Sequence, residues 1–470
     1  MQYLSLNFVL LFIPMLVLYW SIPRRGFQNA VLMVASVLFV GAAGPWAIAV
    51  FVVSSALEWL IARSIGRSAS KGWRTRLLWG SVVVNIAQLA FFKYSDFFVP
   101  QATALLGVFG LAPGAIHLIM PAGLSFWTLQ KMTLTLDVYL GRMKPEPSLF
   151  RAVLFTGFFP SFMSGPIERA RNLLPQFDKA RTMDSRRFAE AVWLFAIGAF
   201  QKAVLADHVG ECVDELLGPN ASGVSVLLGL WAYAIQIFCD FSGYSDMARG
   251  VARFLGFEVT QNFMAPYFAS NISEYWKRWH VSLSSWLNDY VFNPSSLWLR
   301  DWGTASIVAS TWITFLISGL WHGTGWTFVA WGSLHAIGLT IFALTKNIRK
   351  QAKKKWGHGF WLHPLMALVT FHWICLGYLF FRAHSLGAAF EQMGALARGN
   401  WNPMAVQFSR LELLFTAVGM LSLHWAVYKW KNVFWIFDRS LWFRVVVYIA
   451  LGYLLTRFYA PAVRYIYFQF

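Results

Sequence analysis

Apolar runs of helical-span length recur along the chain, separated by short breaks that carry Gly, Pro or charge. A bilayer core about 30 Å thick asks for roughly 20 apolar residues per helical crossing. By that measure the pattern predicts spans at about 4–20, 27–43, 45–61, 77–95, 102–120, 188–206, 223–240, 304–321, 324–344, 361–381, 411–427 and 441–459. The expected fold class is an all-α polytopic membrane protein of about 11–12 transmembrane helices, with re-entrant and amphipathic helices besides. One apolar stretch resists a crossing, SLFRAVLFTGFFPSFMSG at 148–165. If it crossed, Arg169, Arg171, Lys179, Arg181, Arg186 and Arg187 would lie outside, against the bias of Lys and Arg towards the cytoplasm. With Pro160 and Gly165 in it, a re-entrant hairpin shielded by neighbouring protein fits better.

Composition agrees with the pattern. Of 470 residues 57% are hydrophobic and only 13% charged, where a soluble chain has about 25% charged. The net charge of +18 does not mark a nucleic-acid partner, because the cations form no single face. They gather between spans: Arg24 and Arg25; Arg63, Arg67, Lys71, Arg74 and Arg76; Lys346, Arg349, Lys350, Lys353, Lys354 and Lys355; Lys429, Lys431 and Arg439. All four groups fall on one side, the cytoplasmic one, if the first span runs inwards. Asp207, Glu211, Asp214 and Glu215 then read as an acidic outer loop, and both termini as outside. The N-terminus has no basic n-region or cleavage site and reads as a retained span. Cys212, Cys239 and Cys375 form no CxxC pair and leave the redox compartment open. No repeat or soluble-sized insertion appears, so 1–470 reads as one integral domain, with a core region 121–345 and C-terminal spans and tail at 361–470.

Two histidines stand out, each following a Trp in apolar surroundings, where an imidazole without partners costs about 1–3 kcal/mol. Asn271 can cap a helix with Glu274 closing a capping box. From there Trp276, Trp279, His280, Leu283, Trp286, Leu287 and Tyr290 recur at helical spacing, with Lys277, Arg278, Ser282 and Ser285 largely off that face. The predicted element is one amphipathic helix on the cytoplasmic side, ending in Asn288 and Asp289; an interfacial helix with an incidental histidine reads the same residues. His322 lies in Trp321-His322-Gly323-Thr324-Gly325, a break between two apolar segments. Breaks at membrane depth survive only in protein or beside water, and an ionisable residue there points to function; the plain alternative is an outer-loop histidine in water. His335 reads as a packed histidine bonded to a neighbouring helix. Metal is not expected, since there is no HExxH, no His pair at i,i+4 and no Cys/His cluster. No GxSxG elbow or phosphate-binding glycine loop is present.

Five stretches, in this order, resemble the membrane-bound O-acyltransferase superfamily: PAGLSFWTLQ (121–130), FFPSFMSGPIER (158–169), DFSGYSDMARGVARFLGF (240–257), NFMAPYFASNISEYWKRWHVSLSSWLNDYVF (262–292) and GLWHGTGWTFVAWGSLHA (319–336). The resemblance is to the bacterial branch that O-acetylates alginate, cellulose or peptidoglycan and D-alanylates teichoic acids. It implies a ring of helices around a thinned centre, where a cytoplasmic tunnel meets an outer funnel. It makes His322 the catalytic histidine and His280 the second tunnel histidine, and it draws Trp321, Asn288, Asp289, Tyr244 and Asp246 into substrate binding. One departure is plain: relatives often follow the WLxDY motif with a PLGGNR-like loop, and here the chain reads Asn293-Pro294-Ser295-Ser296-Leu297-Trp298.

The implied reaction moves an acyl group, with acetyl the expected one, from a cytoplasmic thioester to a hydroxyl reached from outside. His322 suits the general base, its ordinary pKa being about 6.5, and His280 can orient the thioester or stabilise an oxyanion. No cofactor is expected; acetyl-CoA or an acyl carrier protein supplies the thioester as substrate. The expected partners are an exported acetyltransferase or esterase-like protein, a polysaccharide acceptor and membrane lipids, in a bacterial inner membrane. The C-terminal Arg464-Tyr465-Ile466-Tyr467-Phe468-Gln469-Phe470 either anchors in the interface or, as it resembles an FIYxxF-type motif, offers Tyr467 as an acyl acceptor for a relay. The competing function is a polysaccharide or lipid-linked sugar transporter without a covalent step.

Overall fold

The structure, a computed structural model of the chain, describes residues 3–42, 44–93, 121–218, 221–356, 362–399 and 410–459. Among the described residues there is no strand. Seven helices among the described residues are long and apolar enough to cross a membrane: Pro45–Arg67, Lys71–Lys93, Ser185–Leu216, Gly223–Phe254, Thr304–His322, Trp326–Leu344 and Leu362–Arg382. Leu6–Ser21 and Arg25–Gly41 are shorter apolar helices, and Arg410–Trp430 and Leu441–Arg457 occupy the last two predicted spans. The chain is thus an all-α, multi-pass membrane protein. The span expected at 102–120 and the tail with Tyr467 lie outside the described residues.

The chain falls into two compact units, Met1–Val192 with Ala248–Thr260, and Trp193–Met247 with Gln261–Phe470. In the first, helix Leu124–Tyr139 is buried from Phe126 to Val138 and was not among the predicted spans, because Thr128, Gln130, Lys131, Thr133, Thr135 and Asp137 interrupt its apolar run. All of them but Thr128 are buried with partners, as burial of polar groups requires. Glu58 accepts from Ser81 Oγ at 2.8 Å, Asn85 Nδ2 at 2.7 Å and Thr135 Oγ1 at 2.5 Å, while Lys131 Nζ donates to Gln88 Oε1 at 2.7 Å. The awkward stretch 148–165 forms two short helices, Leu149–Thr156 and Phe159–Phe162. Neither is long enough to cross, and every residue from 152 to 170 is buried.

The second unit holds all the described candidate site residues. Its helix beyond Trp193 passes through a π-helical turn at Gln201–Ala206 and continues as Asp207–Leu216. This corrects the reading of Asp207 as an outer-loop acid: it is buried, and Lys202 Nζ sits 2.7 Å from its Oδ1 and 2.6 Å from Asp240 Oδ1. The helix did not stop where the apolar run stopped, because the buried ammonium gives both carboxylates a partner. Helices Thr304–His322 and Trp326–Leu344 form a tight hairpin. A Cβ placed on Gly319 would lie 2.4 Å from Phe328 O, and one on Gly332 would lie 2.4 Å from Phe315 O. Small residues that let two backbones touch are a principal source of helix association in membranes.

Candidate active site

His322 is the last residue of Thr304–His322, and the helix stops there because Gly323 is extended at φ −166°. Its imidazole is 6% exposed and is held edge-on by three rings: Trp321 at 4.9 Å, Trp331 at 5.0 Å and Phe381 at 5.1 Å between centroids. The expected break in the hairpin is therefore present, and its histidine points into packed protein. That excludes the outer-loop histidine in water. His335, one helical turn beyond Trp331, is packed as expected against Trp331 at 4.8 Å, Trp276 at 5.0 Å and Phe315 at 6.0 Å. Its Nδ1 has no hydrogen-bond partner among the described residues.

His280 does not lie within one continuous helix. Asn271 caps Ile272–Trp276 as predicted, accepting from Glu274 N at 2.9 Å, while the Glu274 carboxylate accepts from the amide one residue before the cap, Ser270 N, at 2.8 Å. The helix then ends, and His280 stands before Val281–Leu287 at φ 43° and ψ 55°, the left-handed region. The cause is an extended stretch of chain beside it. Met264 N donates to Arg278 O at 3.0 Å, Val281 N to Asn262 O at 3.0 Å, and Ser282 N to Asn262 Oδ1 at 3.1 Å. Those bonds take the amides that a continuing helix would have used, and they bury Ser282, which the helical reading left off the apolar face. A non-glycine residue in this region costs of order 1–3 kcal/mol and gathers at functional sites. Burial pushes the His280 imidazole down to about 3, so at neutral pH it is uncharged and carries one N–H donor and one acceptor nitrogen.

A continuous series of ring contacts joins the two histidines. His280 meets Phe241 at 4.6 Å, Phe241 meets Phe263 at 5.2 Å, and Phe263 meets Trp279 at 5.1 Å. Trp279 stacks on Tyr275 at 5.6 Å; Tyr275 meets Trp276 at 5.4 Å and Trp276 meets Trp331 at 5.9 Å. Trp331 touches His322. Such edge and stacked pairs add about 0.5–1.5 kcal/mol each beyond burial, and together they make a stiff apolar wall.

The remaining candidates are dispersed. Trp321 is half-buried on His322. Tyr244 is buried on Gly223–Phe254, where half-buried Asp246 accepts from Gln201 Nε2 at 3.2 Å. Asn288 is exposed and Asp289 half-buried on a second π-helical turn, Asn288–Phe292. The segment Asn293–Trp298, read as a loop, is helical. Not read as site residues were Trp331, Phe381 and Trp276. Trp331 was legible, lying four residues before His335 on one helix face, whereas nothing local announces that Phe381 reaches His322. One residue past Phe381 a cavity of about 680 Å³ opens, lined by Arg382, His384, Gln392, Arg398 and the acids Asp214 and Glu391. Among the described residues no group of three His, Cys, Asp or Glu side chains has a metal-binding arrangement.

Residues 143–381 match the profile of the membrane-bound O-acyltransferase family. A protein of Azotobacter vinelandii described as a probable alginate O-acetylase is 33% identical over 432 residues, covering 90% of this chain and 83% of that one. A peptidoglycan O-acetyltransferase of Helicobacter pylori is 30% identical over 418 residues, 82% of this chain and 77% of the other. A teichoic acid D-alanyltransferase of Bacillus subtilis is 29% identical over 277 residues, 56% of this chain and 69% of the other.

Proposed function

Because the chain belongs to the membrane-bound O-acyltransferase family, we propose that this enzyme transfers acetyl from a cytoplasmic thioester across the membrane to a hydroxyl, for modification of an exported cell-envelope polysaccharide. The observation that carries the proposal is His322. It is a buried imidazole at a break between two apolar helices, fixed by three aromatic rings, within the part of the chain that the family profile matches. The relatives named above as acetylases and alanyltransferase support transfer of an acyl group to an envelope polymer.

The chemistry asked of the protein is modest, since a thioester already carries the driving force. An imidazole nitrogen of His322 takes the hydroxyl proton as the oxygen attacks the thioester carbonyl. The C–O bond forms, the C–S bond breaks, and the proton ends on the departing thiolate. His280, neutral and on the other end of the aromatic wall, has one N–H to offer the oxyanion or the donor carbonyl. Burial among rings keeps water from competing with the acceptor. The donor is acetyl-CoA or an acyl carrier protein, the membrane a bacterial inner membrane with both termini outside, and an exported esterase-like partner completes transfer to the glycan. The mixed Arg, Asp, Glu and Gln lining of the cavity beyond Phe381 suits hydroxyl-rich acceptors.

Tyr467 provides the acceptor hydroxyl in a two-step form of this reaction. Its phenol, ordinarily titrating near 10, gives its proton to His322 as the acyl group arrives and is later released by the final acceptor. The test is the intact mass of the purified protein after incubation with acetyl-CoA. A gain of one acetyl group on the C-terminal peptide is expected, lost in Tyr467→Phe and in His322→Ala, with the latter still folded. Normal transfer by Tyr467→Phe removes the relay; normal transfer by His322→Ala removes the catalytic assignment.

A further inference from the structure

Three tyrosine hydroxyls meet inside the second unit, in a place the proposed chemistry does not use. Tyr378 OH lies 3.0 Å from Tyr267 OH and 3.0 Å from Tyr275 OH, and Tyr267 OH donates to Ala234 O at 2.7 Å. A phenol has one proton, so the direction of the series follows by counting. Tyr267 spends its proton on Ala234 O and must accept from Tyr378. Tyr378, having given its own proton to Tyr267, must accept from Tyr275. The order is Tyr275 to Tyr378 to Tyr267 to Ala234, with Tyr378 the only member bonded to two other side chains of the series.

The middle of this series leads to His322 and its two ends lead to His280. Tyr378 lies one turn before Phe381 on Leu362–Arg382, and Phe381 packs on His322. Tyr275 stacks on Trp279, the residue before His280. Tyr267 and Ala234 fasten the same hydroxyls to Gly223–Phe254, whose Phe241 packs on His280. We propose that the Tyr378 hydroxyl is a positioning group that sets His322 and His280 at the separation acyl transfer requires. The inference rests on the acyltransferase reading given above. It assigns Tyr378 no contact with substrate: its hydroxyl acts through Tyr275 and through the helix that carries Phe381.

Tyr378→Phe removes one oxygen and leaves the ring in place against Tyr233 at 5.8 Å. The experiment measures thiol release from acetyl-CoA by lipid-reconstituted protein, for Tyr378→Phe, Tyr275→Phe and the double variant. A shift in the mutual placement of the histidines is felt in the transition state and not in donor binding. Tyr378→Phe is therefore expected to lower kcat roughly tenfold or more, with the donor KM and the melting temperature close to wild type. Tyr275→Phe is expected to do the same, and the double variant to be no slower than the worse single one, because the bond that Tyr275→Phe cuts is already lost in Tyr378→Phe. Unchanged kcat in Tyr378→Phe overturns the inference, as do single losses that multiply in the double variant. If Tyr378→Phe fails to fold, Tyr275→Phe decides alone, and full kcat there is the contrary result. A wild-type protein that releases no thiol overturns the functional reading and this inference with it; a wild-type protein that does so beside an equally fast Tyr378→Phe overturns only this one.

Discussion

His280 and His322 are both buried imidazoles beside tryptophans, yet they are made in different ways. His322 ends a helix at a glycine, while His280 is forced into left-handed backbone by amides that turn to Asn262. The buried His280 has a titration consequence. Its value near 3 lies below the ordinary 6.5, so above pH 6.5 the folded and unfolded chains both hold it neutral. From pH 6.5 down to about 3 the unfolded chain binds a proton that the folded one refuses, and stability falls through that window. Melting curves between pH 7 and pH 4 should show a steeper acid loss for the wild type than for His280→Gln, which has no proton to gain; parallel curves would contradict the burial argument. The place of His322 was legible because Gly323 and Gly325 interrupt an apolar run. That of His280 was not. Trp276, Trp279, Leu283 and Trp286 satisfy helical spacing, and no local signal shows that a side chain twenty residues upstream captures the Ser282 amide.

Helices were readable from the sequence where lipid is their solvent, and less so where protein is. Each described span predicted from an apolar run has its helix, while Leu124–Tyr139 escaped because polar residues such as Thr135 and Lys131 find Glu58 and Gln88 on other helices. The hairpin that ends in His322 depends on two glycines rather than on apolar content. In Gly332→Ala the added methyl meets the Phe315 carbonyl oxygen at 2.4 Å, too close for any rotamer to relieve, since alanine has none. The two helices must separate, moving the aromatic seat of His322. The expected outcome is a protein destabilised by about 1–3 kcal/mol with acyl transfer reduced roughly a hundredfold, read from thermal melts and thiol release. Wild-type rates in Gly332→Ala would show that the close contact does not set the site.

At the scale of the whole molecule, the low charge content, the recurring apolar runs and the cations between them identify a multi-pass membrane protein, and the ordered motifs identify its family. What the sequence left obscure were contacts between distant segments: Lys202 with Asp207 and Asp240, Phe381 with His322, Tyr378 with Tyr275 and Tyr267. Periodicity reports which face a residue shares with its neighbours in sequence, and it carries no information about what that face meets. In the proposed reaction His322 drives transfer from a thioester on one side of the membrane to a hydroxyl on the other. Proteoliposomes holding an alcohol acceptor inside, with acetyl-CoA supplied only to the cytoplasmic face outside, test it directly. Acetyl ester should accumulate in the lumen with wild-type protein and not with His322→Ala; equal lumenal ester in both, or none with the wild type, would contradict it.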